Sequence, residues 1–201
     1  MANGKQLQQQ GIRHFENEDF QAALAAFQSA QAAYQQAGDV LGAAEQWVNM
    51  GMCHQALGQH EQAIEHMQHG LTVFSEQGDA FRQAQAVGNM ARSYAKLGNT
   101  EQATTFYRQA AATFREMGEE EFYGQTILDL ANLQFKAGQF LEASVTFEIA
   151  LDYIQNPNQR QKMAKQLLVV KNRMLGTSLP PKPTAQRPLR NPASQDDDAE
   201  E

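Results

Sequence analysis

Apolar and small residues recur along most of this chain at i, i+3, i+4 and i+7, as in Trp47, Met50, Gly51 and His54. That is the spacing of helices with one buried face. A longer period lies on top of it. The stretch WVNMGMCHQALGQHEQAIEHM from Trp47 is answered forty residues later by VGNMARSYAKLGNTEQATTFY from Val87. The same offset relates Ala23, Ala63, Ala103 and Ala143, and also Phe27, Met67, Tyr107 and Phe147. Three residues beyond each large residue stands a small one: Ala30, Gly70, Ala110 or Ala150. Leu7, Trp47, Val87 and Ile127 form a further column, followed by Gly11, Gly51, Ala91 and Ala131. A fixed period of this length marks a tandem array of supersecondary units.

Punctuation within each unit predicts two antiparallel helices. Gly58, Gly98 and Gly138 interrupt the second, third and fourth units midway, and Glu18 takes that place in the first. Gly38-Asp39, Gly78-Asp79 and Gly118-Glu119 separate one unit from the next, the Gly as a helix C-cap and the acid at the following N-terminus. All six prolines lie at Pro157 or later, so the preceding helices run unbroken. The expected units are 1–39, 40–79, 80–119 and 120–157. Residues 158–175 follow as a capping helix with Met163, Leu167, Val170 and Met174 on one face. Residues 176–201 are rich in Pro and polar side chains, end in QDDDAEE, and read as a disordered acidic tail. The fold class is all-α.

These columns resemble the tetratricopeptide repeat, and the resemblance covers residues 5 to 156. Its usual period is 34, so helices about a turn longer are expected here. The resemblance implies an α-solenoid, a right-handed superhelix of four helix-turn-helix repeats. WVNMGMCHQALG and VGNMARSYAKLG look most like the forty-residue repeats of Pins-type scaffolds. Those hold extended peptides in a concave groove, partly through a ladder of asparagines. Asn49 and Asn89 stand at that ladder position, with Gln9 before them and Asp129 after. The carboxylate-clamp branch of the family needs Lys, Asn, Asn, Lys and Arg in the groove. The corresponding residues here are Gln8, Ile12, Asn49, Gln85 and Asn89, which supply no cation.

Helical geometry selects the groove candidates. At 100° per residue, the face opposite Trp47, Met50, Gly51 and His54 carries Asn49 and Met52. The same offset adds Gln9 in the first unit and Gln85, Asn89, Arg92 and Lys96 in the third. In the fourth it gives Gln125, Asp129, Asn132 and Lys136. Amides can pair with both the N–H and the C=O of an extended peptide. Arg92, Lys96 and Lys136 make the C-terminal half of this set positive, which suits an acidic or amphipathic peptide.

Composition narrows the function further. A formal charge of −7 opposes sequence-independent nucleic-acid binding, which relies on Lys and Arg. No apolar run approaches the roughly 18 residues of a membrane span, and the N-terminus shows no signal region. One cysteine, Cys53, cannot build a disulfide framework, in keeping with a reducing, cytoplasmic setting. His60, His66 and His69 are close in sequence but lack the ligand spacing of a zinc helix, and His14 and His54 share a packing column with Tyr94. No cofactor loop, nucleophile elbow or carboxylate pair is present. The expectation is a non-catalytic adaptor for a protein or peptide partner. A self-assembling subunit and a regulator of a separate enzyme are the alternatives.

Overall fold

The computed structural model describes residues 3–154, 158, 159, 161–163 and 166. Within them lie eight α-helices: α1 Gly4–Glu16, α2 Phe20–Gln36, α3 Val40–Ala56, α4 His60–Glu76, α5 Ala80–Lys96, α6 Thr100–Met117, α7 Glu120–Lys136 and α8 Phe140–Tyr153. They pair consecutively into four hairpins. No strand occurs among the described residues.

The turns repeat one solution. Gly38, Gly58, Gly78, Gly98, Gly118 and Gly138 all have φ between 69° and 79°, the left-handed region where a Cβ is costly. At the first joint Asp39 N–H donates to Tyr34 O at 2.9 Å and Gly38 N–H to Gln35 O at 3.0 Å, the two bonds of a Schellman turn. The next residue then opens a new helix. Asp19, Asp39, Asp79 and Asn99 each accept a backbone N–H of the following helix on their side-chain oxygens, satisfying a donor that the helix leaves unpaired. Glu18 is the exception to glycine, and it is held at φ 61° by the same hydrogen-bond pattern.

Small residues set the spacing between helices. Ala23, Ala63, Ala103, Ala30, Ala110 and Ala150 are fully buried, and Phe27, Met67 and Tyr107 fill the space between them. At Gly70 a Cβ would land 2.7 Å from Val48 Cγ2 and 2.8 Å from the Ala44 carbonyl, so α4 reaches α3 there only without a side chain. Cys53 is fully buried, and burial pushes its thiol up to about 12, so it packs as a small hydrophobe.

Each helix packs against its sequence neighbours. Beyond these, α1 touches α3, α3 touches α5 and α5 touches α7, whereas the even helices do not touch one another. The odd helices therefore lie side by side along the inner surface, and the even helices fan apart outside. At the C-terminal end a helical turn begins at Asn158. Its Oδ1 accepts the Gln161 N–H at 3.0 Å while Gln161 Oε1 accepts the Asn158 N–H at 2.7 Å, a capping box. Met163 is 64% exposed. Most of the expected capping helix and the whole tail at 176–201 lie outside the described residues.

Three stability outcomes follow from this backbone. Glu18→Gly relieves the left-handed conformation at an exposed turn, and should raise stability by about 0.5–1 kcal/mol in urea unfolding. Gly51 and Gly88 both sit inside helices, but only the first is crowded. A Cβ at Gly51 meets Met67 Cγ at 2.6 Å and the Ala63 carbonyl at 2.9 Å, whereas at Gly88 it meets only Ala110 Cβ at 3.7 Å. Gly88→Ala is expected to stabilise by about 1 kcal/mol through helix propensity. Gly51→Ala should instead destabilise by about 1–2 kcal/mol through overpacking, in the same urea measurement.

Candidate functional site

The inner surface formed by α3, α5 and α7 encloses a groove of about 620 Å³. Of the residues selected from the sequence, Asn49, Met52, Gln85, Asn89, Arg92, Gln125 and Asp129 line it. Gln9, Lys96, Asn132 and Lys136 do not, and all four are exposed. Gln9 belongs to α1, one repeat too early. Lys96, Asn132 and Lys136 lie toward the C-terminal ends of α5 and α7, past the end of the cavity. Helical angle picks out the face that lines the cavity, but the extent of the hollow along it depends on how the helices converge.

Charge in the groove is paired. Arg92 on α5 donates from Nη2 to Asp129 Oδ2 on α7 at 2.9 Å. Burial opposes the Arg92 charge, but the hydrogen bond and field of Asp129 outweigh it and hold its pKa above the ordinary value. Tyr107 lies buried close by, its hydroxyl pushed up to about 12 by burial first and the Asp129 charge second. Arg82 bridges the neighbouring joint. Its Nη1 is 2.6 Å from Asp79 Oδ2, and its Nε is 3.7 Å from Glu45 Oε2 on α3. Burial works against the Asp79 carboxylate, yet the backbone N–H and guanidinium of Arg82 keep it below its usual range. Glu45 also accepts a hydrogen bond from Gln8 Nε2 on α1 at 2.9 Å. The lining thus balances Arg82 and Arg92 against Glu45 and Asp129, while Lys96 and Lys136 stand outside it.

The amides differ in what they have left to offer. Asn49 Nδ2 donates to Gln46 Oε1 within α3 at 3.2 Å, and Gln125 Nε2 reaches Asp129 Oδ1 at 3.4 Å. The side chains of Asn89 and Gln85 make no hydrogen bond among the described residues, and both are half-buried in the groove. Asn89 is held from behind, its backbone carbonyl accepting Gln55 Nε2 from α3 at 3.0 Å. Gln55 Nε2 also reaches Ser93 Oγ at 2.8 Å.

Sequence reasoning missed the feature that deepens the groove. Gly88 shares a forty-residue column with Gln8, Val48 and Leu128, so one side chain is absent from the middle of the lining. Its column was the signal, because an uncrowded glycine inside a helix costs stability that nothing local returns. Phe81, Phe114 and Phe122 form an aromatic wall in the same groove, with ring centroids 5.0 to 5.9 Å apart. Phe122 is 40% exposed, in a column where the second and third repeats carry Gly42 and Arg82.

Comparison with known proteins agrees with this geometry. Residues 42–116 match the family model described as tetratricopeptide repeat. No curated protein matches the chain. Among solved structures, BtubC (BKLC) from P. vanneervenii superposes with a TM-score of 0.70 at 17% identity, covering 93% of this chain and 87% of that one. A Podosopora anserina structure of nearly identical TPR-like repeats superposes with a TM-score of 0.66 at 16% identity, covering 88% of this chain and 90% of its own. A point variant of that same protein gives the same score and identity, with 89% of that chain covered. These structural likenesses speak for the fold alone. Residues 42–116 therefore match the tetratricopeptide repeat family, and the same hairpin geometry continues on both sides of them.

Proposed function

We propose that this protein is a non-catalytic adaptor that holds an extended peptide, or a helix of a partner protein, across α3, α5 and α7. Tetratricopeptide repeats are interaction scaffolds in general, and the inner surface supplies the particulars. One observation carries the reading: the half-buried amides of Asn89 and Gln85, unspent within the protein, stand beside the space above Gly88 and its phenylalanine wall. Half-buried polar groups with unspent hydrogen-bonding capacity beside an apolar hollow suit a ligand with a peptide backbone and a bulky apolar side chain. The balanced charge of the lining favours an amphipathic peptide over a purely acidic one. A cytoplasmic setting belongs to the same proposal, and the buried free thiol of Cys53 supports it. No helix among the described residues is long and apolar enough to cross a membrane. A regulator of a separate enzyme would use the same groove.

A second reading is self-assembly through the C-terminal end. Phe135, Phe140, Leu141 and Val145 are 62%, 60%, 82% and 56% exposed, and the first two rings stack edge to face at 5.2 Å. Leu141 and Val145 occupy columns that hold Glu61 and Glu65 in the second repeat. If copies associate there, sedimentation of the full chain will show mass rising with concentration, and Leu141→Glu will suppress the rise.

The groove is tested with a random-peptide display library on the full chain. Selected peptides should carry a bulky apolar residue. Gly88→Leu, which fills the hollow without crowding the backbone, should weaken them at least about tenfold, a loss of ~1.4 kcal/mol. Asn89→Ala should cost about 1 kcal/mol of binding for each peptide hydrogen bond removed. Peptides that bind wild type, Gly88→Leu and Asn89→Ala alike would place the binding surface elsewhere.

A further inference from the structure

The two helices of the second repeat meet through a group of rings that the other repeats lack. His54 on α3 and His66 on α4 lie face to face, with centroids 4.6 Å apart and planes 15° from parallel. Trp47, two turns earlier on α3, adds contacts at 5.3 Å to His66 and 4.8 Å to His69. The forty-residue columns show what else this seam can hold. Tyr94 and Phe106 occupy the same two places in the third repeat, edge to face at 5.4 Å. The first repeat has His14 with Ala26, and the fourth has Gln134 with Thr146. Among the described residues, only the second repeat seats two histidine rings against each other at this seam.

The neutral form suits this seam. His54 Nδ1 lies 2.7 Å from Gln59 Oε1, so that nitrogen is the one that carries a proton and donates it. His66 Nδ1 is buried with no hydrogen-bond partner, so a proton placed there would lack an acceptor. Burial lowers the His66 pKa, His54 and His69 push the same way, and Glu65 opposes them. The neighbouring helices bring no relief. α2 contains no Asp, Glu, Lys, Arg or His. α1 carries Lys5, Arg13, His14 and Glu16 and α5 carries Arg82, Arg92, Tyr94 and Lys96, while the charges that shift His66 are those of His54, Glu65 and His69. Two imidazolium rings at this separation, both half-buried, repel each other.

We infer that the His54–His66 stack is an acid-sensitive joint: neutral rings close α3 onto α4, and protonation in the mildly acidic range opens the seam. A histidine whose folded pKa lies below its unfolded value binds protons more readily in the unfolded chain. Its contribution to stability is complete above about pH 6.5 and is lost as pH falls through that value toward the folded pKa. α3 also presents Asn49 and Met52 to the groove, so the joint stands behind one groove wall. The joint itself is independent of any groove ligand, and its test needs none.

Thermal unfolding of the full chain, followed by Trp47 emission, is compared at about pH 7.5 and about pH 5. The reference is the double variant His54→Tyr, His66→Phe, which installs the pair of the third repeat. Wild type should lose about 3–5 °C more than the variant on acidification. An equal loss in both would overturn the inference. Should the variant fail to fold, the histidine ring resonances of the wild-type chain decide instead. His66 titrating below about 6.5 supports the joint, and His66 titrating at or above that value overturns it.

Discussion

The close approach of paired helices over columns of small residues is the constraint on which the rest of this molecule depends. Ala63, Gly70 and Gly51 bring α3 and α4 so near that Val48, Met67 and the backbone carbonyls of Ala44 and Ala63 occupy the space where larger residues would project. Interiors packed at this density respond to a single methyl group. Once each hairpin closes this way, stacking the hairpins puts the odd helices against one another and leaves the even ones apart. The concave surface follows from that asymmetry, and so does any groove upon it.

Polar contacts then tie one repeat to the next across the inner face. Gln8 with Glu45, Glu45 with Arg82, Gln55 with Asn89 and Ser93, and Arg92 with Asp129 each join odd helices of successive repeats. Individually such exposed or half-exposed pairs contribute little stability. Their effect is on position, since each fixes how far one odd helix is turned against the next. The cations predicted to colour the groove positive are used in part for this purpose, and the lining becomes electrically balanced. A ligand would have to exchange partners with Arg92 or Arg82 to use their charge, whereas Asn89 and Gln85 need give nothing up.

Repetition also makes departures informative. Within a column every repeat faces nearly the same environment, so a residue unlike its counterparts marks a place with another demand on it. Glu18 holds a glycine conformation, Gly88 leaves a hollow where Val48 and Leu128 have side chains, and His54 stacks on His66 where the third repeat has Tyr94 and Phe106. The first is a local strain, the second enlarges a surface, and the third introduces protons into a seam.

The sequence by itself determined the helices, the turns and the pairing. Those depend on local rules: helical periodicity, the left-handed preference of glycine, and the match of large to small columns forty residues apart. It also determined which face of each odd helix looks inward, because that is a matter of angle along a single helix. Only the tertiary structure decided where on that face the groove begins and ends, that Arg92 is spent on Asp129, and that Gly88 and Phe122 line the cavity while Lys96 and Lys136 lie outside it. Those outcomes depend on distances between helices, which are set jointly by side chains from different repeats. Periodicity within one helix carries no record of them.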